Sequence, residues 1–196
     1  MVTNELPKGR EHRSDRFVWG TVALSGNTLA VGARIEDSNA AGIDGDQTNN
    51  VTSASGAVYV FRREGAIWLQ EAYIKASNPD QDDFFGTVGI RDDILVVGAQ
   101  GESSAAVGIG GDQSDNTSTG SGAAYAFGRS TTGTWSQLAY MKASNTDSSD
   151  AAGVSVAVSA NGTVVFGSKD ASADTGVNGD QANNSAASAG AVYVLE

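Results

Sequence analysis

The chain has 196 residues, and its 40% hydrophobic and 18% charged content is globular, which excludes a disordered chain. A net charge of −11 argues against nucleic acid and anionic membrane surfaces as partners, because both repel an acidic protein. The chain has no cysteine, which excludes disulfides and thiolate metal sites, and no apolar run approaches the roughly 20 residues of a membrane helix, so we expect no membrane insertion.

The first 80 residues predict four short strands after a polar leader. The strands are expected at residues 21–25, 28–33, 57–62 and 68–75, with a long polar loop at 34–55. These runs are rich in Val, Tyr, Trp and Phe and are bounded by Gly, Asn, Asp and Ser, which is typical of β-strands joined by turns. No segment shows a sustained period of 3.6 residues, so no helix is predicted.

The same signals return twice further along the chain. A Gly-Asp-Gln triplet occurs at residues 45–47, 111–113 and 179–181, and a Gly-Ala-x-Tyr strand occurs at 56–61, 122–127 and 190–195. Matched spacing of this kind predicts a repeat architecture in which one supersecondary unit packs on the next. We divide the single structural domain into a leader or displaced outer strand (1–14), two units (15–80 and 81–147) and a third unit without its fourth strand (148–196).

The second and third strands of each unit are apolar on both faces, as residues 29–31 and 58–61 show. Strands with this composition are usually covered on both sides. Blades of a β-propeller have that environment, because each four-stranded antiparallel sheet lies between two others. The alternative is a two-sheet sandwich, which would show cleaner alternation of apolar and polar residues and no fixed period.

Several segments resemble the FG-GAP repeat of integrin-α-type β-propellers: Phe85-Gly86, residues 95–99 (Leu-Val-Val-Gly-Ala) and residues 56–61 (Gly-Ala-Val-Tyr-Val-Phe). The resemblance implies an all-β propeller, in a bacterial-type extracellular or cell-surface protein, that serves non-catalytic binding of protein or glycan or self-assembly. Members of the family often bind calcium in the turn between the first two strands. We do not expect that site here, because the short turns of this chain offer too few oxygen ligands.

Instead, each long loop carries Gly-(Ile/Val)-x-Gly-Asp-Gln-x-(Asn/Asp)-Asn, at residues 42–50, 108–116 and 176–184. One interpretation is a calcium site in each loop, since hard cations prefer oxygen ligands on flexible loops. The other is that Asp and Asn stabilise their own turns without an ion. The candidate ligands are Asp44, Asp46, Asn49, Asn50, Asp112, Asp115, Asn116, Asp180, Asn183 and Asn184.

Three units cannot close a propeller, for which about four blades are the minimum. Glu5 lies as far before Gly20 as Glu71 lies before Gly86, so residues 2–9 match a fourth strand that could complete the third unit of this chain or of a neighbour. Two chains would then form a six-bladed homodimeric ring. The alternative is that the sequence is a fragment of a longer propeller.

Little in the sequence points to catalysis. His12 is the only histidine. Catalysis by a nucleophile paired with histidine, and a zinc site made of several histidines, are therefore not expected. The carboxylate pairs Asp82-Asp83 and Asp92-Asp93 would serve a glycan-active enzyme only if two carboxylates converged across a pocket. We therefore predict no enzyme, with a glycan-active propeller or a purely structural repeat as the alternatives.

Overall fold

A computed structural model describes residues 20–170, 172–173 and 175–196. These residues form eleven strands and no helix, in three antiparallel sheets. Sheet 1 contains β1 (Val22–Ser25), β2 (Thr28–Ala33), β3 (Ala57–Glu64) and β4 (Ile67–Ile74). Sheet 2 contains β5 (Phe85–Arg91), β6 (Ile94–Ala99), β7 (Ala123–Arg129) and β8 (Trp135–Met141). Sheet 3 contains β9 (Ser155–Val158), β10 (Val164–Ser168) and β11 (Ala191–Leu195).

The all-β prediction is confirmed, and the strands lie within two residues of the predicted positions. Each four-stranded sheet runs in sequence order, β1-β2-β3-β4 and β5-β6-β7-β8, because each strand pairs with the next through a turn or loop. Sheet 3 has three described strands, in the order β9-β10-β11, which agrees with the prediction of a third unit without its fourth strand. The candidate fourth strand, residues 2–9, lies outside the described residues, as do the leader and His12.

The three sheets pack face to face. One face of sheet 1 and the facing side of sheet 2 share a core that includes Val60, Ile74, Leu95 and Phe127. The other face of sheet 2 shares a second core with sheet 3, in which Met141 contributes from sheet 2. Sheet 2 is therefore covered on both faces, as the apolar composition predicts, while sheets 1 and 3 each keep one face that no described sheet covers.

Glycine sets how closely the sheets approach. A Cβ at Gly32 of sheet 1 would come within 1.8 Å of the Gly86 carbonyl oxygen in sheet 2. A Cβ at Gly98 of sheet 2 would come within 2.0 Å of the Gly153 carbonyl oxygen, which precedes β9 of sheet 3. No side chain fits at these separations, so the repeated glycine of each second strand allows backbone-to-backbone contact with the next sheet.

Candidate functional site

The Gly-Asp-Gln loops share one local turn. The Asp46 carboxylate accepts hydrogen bonds from the Thr48 amide (2.8 Å) and hydroxyl (2.7 Å), and Asp112 accepts the same pair from Ser114 (2.9 and 2.7 Å). Asp180 accepts from the Ala182 amide at 3.0 Å. Hydrogen bonds to the charged form lower the pKa of Asp46 and of Asp112. These carboxylates therefore stabilise the turn that follows them.

The remaining candidate ligands also bond to protein groups. Asp44 accepts from the Tyr73 amide at 2.9 Å, and the side-chain oxygens of Asn49, Asp115 and Asn183 each accept from the amide two residues later. Asn50 donates to the carbonyl of Thr48. In the part of the chain that is described, no group of three or more His, Cys, Asp or Glu side chains is arranged to hold a metal ion. Calcium binding by these loops stays a prediction.

The loops connect neighbouring sheets, a role that the sequence analysis missed. Asn116 donates from Nδ2 to the Asp80 carboxylate at 2.8 Å, and Asn78 donates to the Gln113 carbonyl at 2.9 Å, so the sheet 2 loop holds the segment that enters sheet 2. The sheet 3 loop repeats both contacts with the segment between sheets 2 and 3: Asn184 donates to Asp147 at 2.5 Å, and Asn145 donates to the Gln181 carbonyl at 3.0 Å. A signal was available, since Ser-Asn-x-Asp recurs at residues 77–80 and 144–147.

A buried ion pair lies beneath each of the first two loops. Lys75 at the end of β4 donates to Glu36 (2.8 Å) and to the Ser55 hydroxyl (2.7 Å). Lys142 at the end of β8 makes the same contacts in sheet 2, with Glu102 (2.8 Å) and Ser121 (2.7 Å). The four charged side chains are at most 1% exposed. Burial lowers the pKa of Lys142, and the nearby Glu102 carboxylate opposes that shift.

The sheet 2 pair belongs to a larger network that includes the preceding segment. Tyr140 donates its hydroxyl to Glu102 at 2.9 Å, and Asn78 donates to the same carboxylate at 3.1 Å. Tyr125 donates in turn to Asn78 Oδ1 at 2.7 Å. In sheet 3 the corresponding carboxylate is Asp170, which accepts from Asn145 and Tyr193. The acid between second and third strands is thus a recurring centre of polar contacts at each junction.

The carboxylate pairs considered for catalysis lie in separate surroundings. Asp83 is 1% exposed at the junction of sheets 1 and 2 and accepts from the Asp80 amide at 2.8 Å. Burial raises the pKa of Asp83 to about 7, with further repulsion from Glu102 and Asp80 and an opposing attraction from Lys75. Asp93 pairs instead with Arg129 at 2.6 Å. Trp135 is buried in the core shared by sheets 1 and 2, and the Arg129 guanidinium carbon lies 5.4 Å from its ring centroid.

An open groove crosses the outer face of sheet 3, which we call the sheet 3 groove. Residues 176–179 line one side and β11 lines the other. Three apolar side chains there are strongly exposed: Val177 (91%), Val192 (69%) and Val194 (59%). Val60 and Ala126, the residues at the position of Val194 in sheets 1 and 2, are buried. The sequence analysis predicted that this unit is incomplete but did not identify the groove.

The fold and its junctions define an all-β repeat protein whose sheets are joined by shared apolar cores and loop contacts, with a buried ion pair inside each of the first two units. Residues 68–127, which run from β4 to β7, match the family model of the FG-GAP repeat. The resemblance read from the sequence is therefore confirmed, with the match centred on sheet 2. No curated protein and no solved structure matches the chain. Among the described residues, no helix is long and apolar enough to span a membrane.

Proposed function

We propose that the chain is a non-catalytic propeller-type module in which the three sheets are blades, and that it functions by binding and self-assembly. The FG-GAP match supports a propeller-type binding or structural module. The observation that carries the self-assembly proposal is that the two outer faces are copies of the faces already joined inside the molecule.

The outer face of sheet 1 corresponds to the covered face of sheet 2. Val22 and Leu24 are 67% and 63% exposed on β1, whereas Val88, at the position of Val22, is buried against sheet 1. The outer face of sheet 3 corresponds to the other covered face of sheet 2, and it exposes Val192 and Val194. In a dimer, the outer face of sheet 1 would pack on the outer face of sheet 3 of the second copy, as sheet 2 packs on its two neighbours. This packing would remove the exposed apolar side chains from water.

Two copies joined in this way contain six sheets, within the four to eight blades of closed propellers. A closed dimer also satisfies both end faces at once, while an open stack would always leave two of them exposed. We therefore propose the six-bladed homodimer that the repeat count predicts.

The loop edge is the proposed binding surface for a protein or glycan ligand. Its loops are held by contacts between sheets, and rigidly held loops are common ligand sites. Ile109 and Val177 occupy the same position in successive loops and are 60% and 91% exposed, so the edge presents a repeated apolar side chain among amides and carboxylates. An extracellular or cell-surface location, implied by the family resemblance, is part of this proposal.

Light-scattering mass measured in calcium and in chelator tests the assembly. We expect about twice the chain mass of 19.9 kDa. Val22→Asp should give the monomer, because it places a charge in the proposed interface. Leu138→Asp is the matched control, since Leu138 is 62% exposed on β8, away from both outer faces, and should leave the dimer intact. A monomeric wild-type chain at high micromolar concentration in both conditions would contradict the proposed ring.

A further inference from the structure

In sheets 1 and 2 the fourth strand is held from two sides. β4 pairs with β3 along one edge, and on its other edge Ile43 of the loop forms an antiparallel bridge with Ile74. The Lys75 amide donates to the Gly42 carbonyl at 2.8 Å. β8 repeats this arrangement, with a bridge from Ile109 to Met141 and a bond from the Lys142 amide to the Gly108 carbonyl at 2.8 Å. The fourth strand therefore lies between the third strand and the loop.

The sheet 3 groove has the two sides of this arrangement without a described strand between them. β11 pairs with β10 along one edge only in the described sheet. Gly176 and Val177 stand at the loop positions of Gly108 and Ile109, and Val177 is 91% exposed. An edge strand with exposed valines, opposite a loop that binds a strand elsewhere in the chain, is suited to β-strand addition.

We propose that the sheet 3 groove binds residues 2–9 of a second copy as a β-strand, so that each chain supplies the fourth strand of its partner's sheet 3. This inference rests on the dimer proposed above and specifies how its two chains are connected. The apolar faces alone would give a dimer held by packing, whereas strand exchange adds main-chain hydrogen bonds and links the chains topologically.

Residues 2–9 are the proposed strand because the spacing of the repeat aligns them with the fourth strand β4. Asn4-Glu5-Leu6 lies at the same distance before Gly20 as Gln70-Glu71-Ala72 of β4 lies before Gly86. Lys8 also lies within one position of the place that Lys75 takes in that count. A lysine entering the groove would approach Asp170, which is 3% exposed and stands where Glu36 and Glu102 receive their ammonium groups.

The exchange is expected between chains because of the order in which strands and sheets follow each other. After β4 the chain enters β5, in the sheet packed on sheet 1, and after β8 it enters β9, in the sheet packed on sheet 2. By the same connection, residues 2–9 belong to a sheet packed on the outer face of sheet 1. Sheet 3 of the same chain lies on the opposite side of sheet 2, so the sheet in question belongs to another copy.

Cysteine crosslinking tests the proposal, because the chain has no native cysteine. Leu6→Cys and Val194→Cys are made as separate single variants, co-expressed and treated with a short bis-maleimide, which tolerates a shift of one or two residues in strand register. Leu6 stands at the place of Ala72, which pairs with Val60, the counterpart of Val194. We expect a Leu6–Val194 crosslinked heterodimer as the main product. Leu6→Cys with Ser130→Cys is the control pair, since Ser130 lies on the exposed β7–β8 turn and should give little product.

The outcomes separate this inference from the proposed dimer. A light-scattering dimer with no Leu6–Val194 product would overturn strand exchange and leave the packed ring standing. A double variant, Leu6→Cys with Val194→Cys in one chain, that crosslinks only within the monomer would overturn exchange in favour of insertion into the same chain. A chain that is monomeric throughout would overturn the dimer itself. Removal of residues 1–9 should lower the dimer fraction at least tenfold at low micromolar concentration if exchange occurs.

Discussion

Sheets 2 and 3 are built from the same repeat but occupy different environments. In β7 the first five residues are all buried, whereas in β11 half-buried positions alternate with exposed ones. Ala126 is 6% exposed and its counterpart Val194 is 59% exposed, although valine is the more apolar residue. The comparison teaches that burial in this protein is decided by the neighbouring sheet, because the strand sequences are apolar on both faces in each copy.

The same contrast holds for the polar groups. In sheet 2 the acid after the second strand, Glu102, meets Lys142, Tyr140 and Asn78 within 3.1 Å, and these come from two sides of the junction. In sheet 3 Asp170 accepts from Asn145 of the preceding segment, from Tyr193 of its own sheet and from the Ser172 amide. In sheet 2, by comparison, Tyr140 lies on the fourth strand and Lys142 directly follows it.

The largest expected effect comes from breaking the sheet 2 ion pair. Lys142→Met removes the ammonium group and leaves Glu102 buried without its opposite charge, which typically costs about 3–5 kcal/mol. Urea denaturation followed by tryptophan fluorescence measures the loss in the free energy of unfolding. Lys169→Met is the control in sheet 3, because Lys169 is exposed and its loss should cost less than about 0.5 kcal/mol. Equal effects of the two variants would refute a structural role for the buried pair.

A second variant pair compares a closed junction with an open face. Gly98→Ala places a methyl group within 2.0 Å of a backbone oxygen of the next sheet, so we expect a loss of about 1–3 kcal/mol in stability from overpacking. Gly167→Ala makes its closest contact with the Ser155 hydroxyl in the same sheet, at 2.5 Å, and that side chain can rotate away. It should therefore destabilise the fold less than Gly98→Ala does.

In the proposed ring Gly167 approaches a backbone segment of the second copy, as Gly98 approaches Gly153. Gly167→Ala should accordingly weaken the dimer while the monomer stays folded. Sedimentation equilibrium and urea denaturation, carried out on both variants, separate association from folding. A Gly167→Ala dimer as tight as the wild type would argue against close packing at that face.

The last expected effect concerns the buried acids at the two junctions and appears only as pH changes. The pKa of Asp83 is about 7 in the folded chain against an ordinary value near 4, so the folded state holds a proton that the unfolded state has released. Stability is therefore lost as pH rises from about 4 to 7, since burial and the nearby Glu102 and Asp80 carboxylates disfavour the charged form, and the Asp80 amide hydrogen bond and Lys75 only partly offset them.

Asp83→Asn keeps a side-chain oxygen for the Asp80 amide and removes this charge. We expect the variant to gain roughly 2 kcal/mol relative to wild type between pH 5 and pH 8, from about two pH units of linkage. Asp150→Asn is the counterpart between sheets 2 and 3, where burial also raises the pKa of the acid, and its gain should be smaller beside the open face. Urea denaturation at the two pH values measures both, and a pH-independent difference for Asp83→Asn would contradict the assignment.

Much of the architecture was predictable from local patterns. The residues of β2 follow from a Gly-Asn turn before an apolar run, and its observed bounds, Thr28–Ala33, coincide with the prediction. The Gly-Asp-Gln loops were also located correctly, because a fixed spacing identifies them without any knowledge of packing.

The buried lysines and the loop contacts could not be deduced in the same way. Lys75 and Lys142 follow apolar strands and read as ordinary surface charges, since nothing local reveals that an acid 39 or 40 residues earlier meets them. The bond from Asn116 to Asp80 likewise joins positions 36 residues apart, one in the sheet 2 loop and the other in the segment between sheets 1 and 2. Contacts of this kind depend on how sheets stack, and stacking brings together residues whose separation in the chain has no short-range signature.

The sequence by itself determined the strands, the turns and the threefold repetition, because those depend on residue type and spacing within each unit. The tertiary structure decided which copy of each residue is buried, which loop holds which neighbour, and where the sheet 3 groove remains open. The physical reason is that a sheet cannot cover its own two faces: its environment is supplied by the sheets beside it, and these differ for equivalent sequences at the middle and at the ends of the stack.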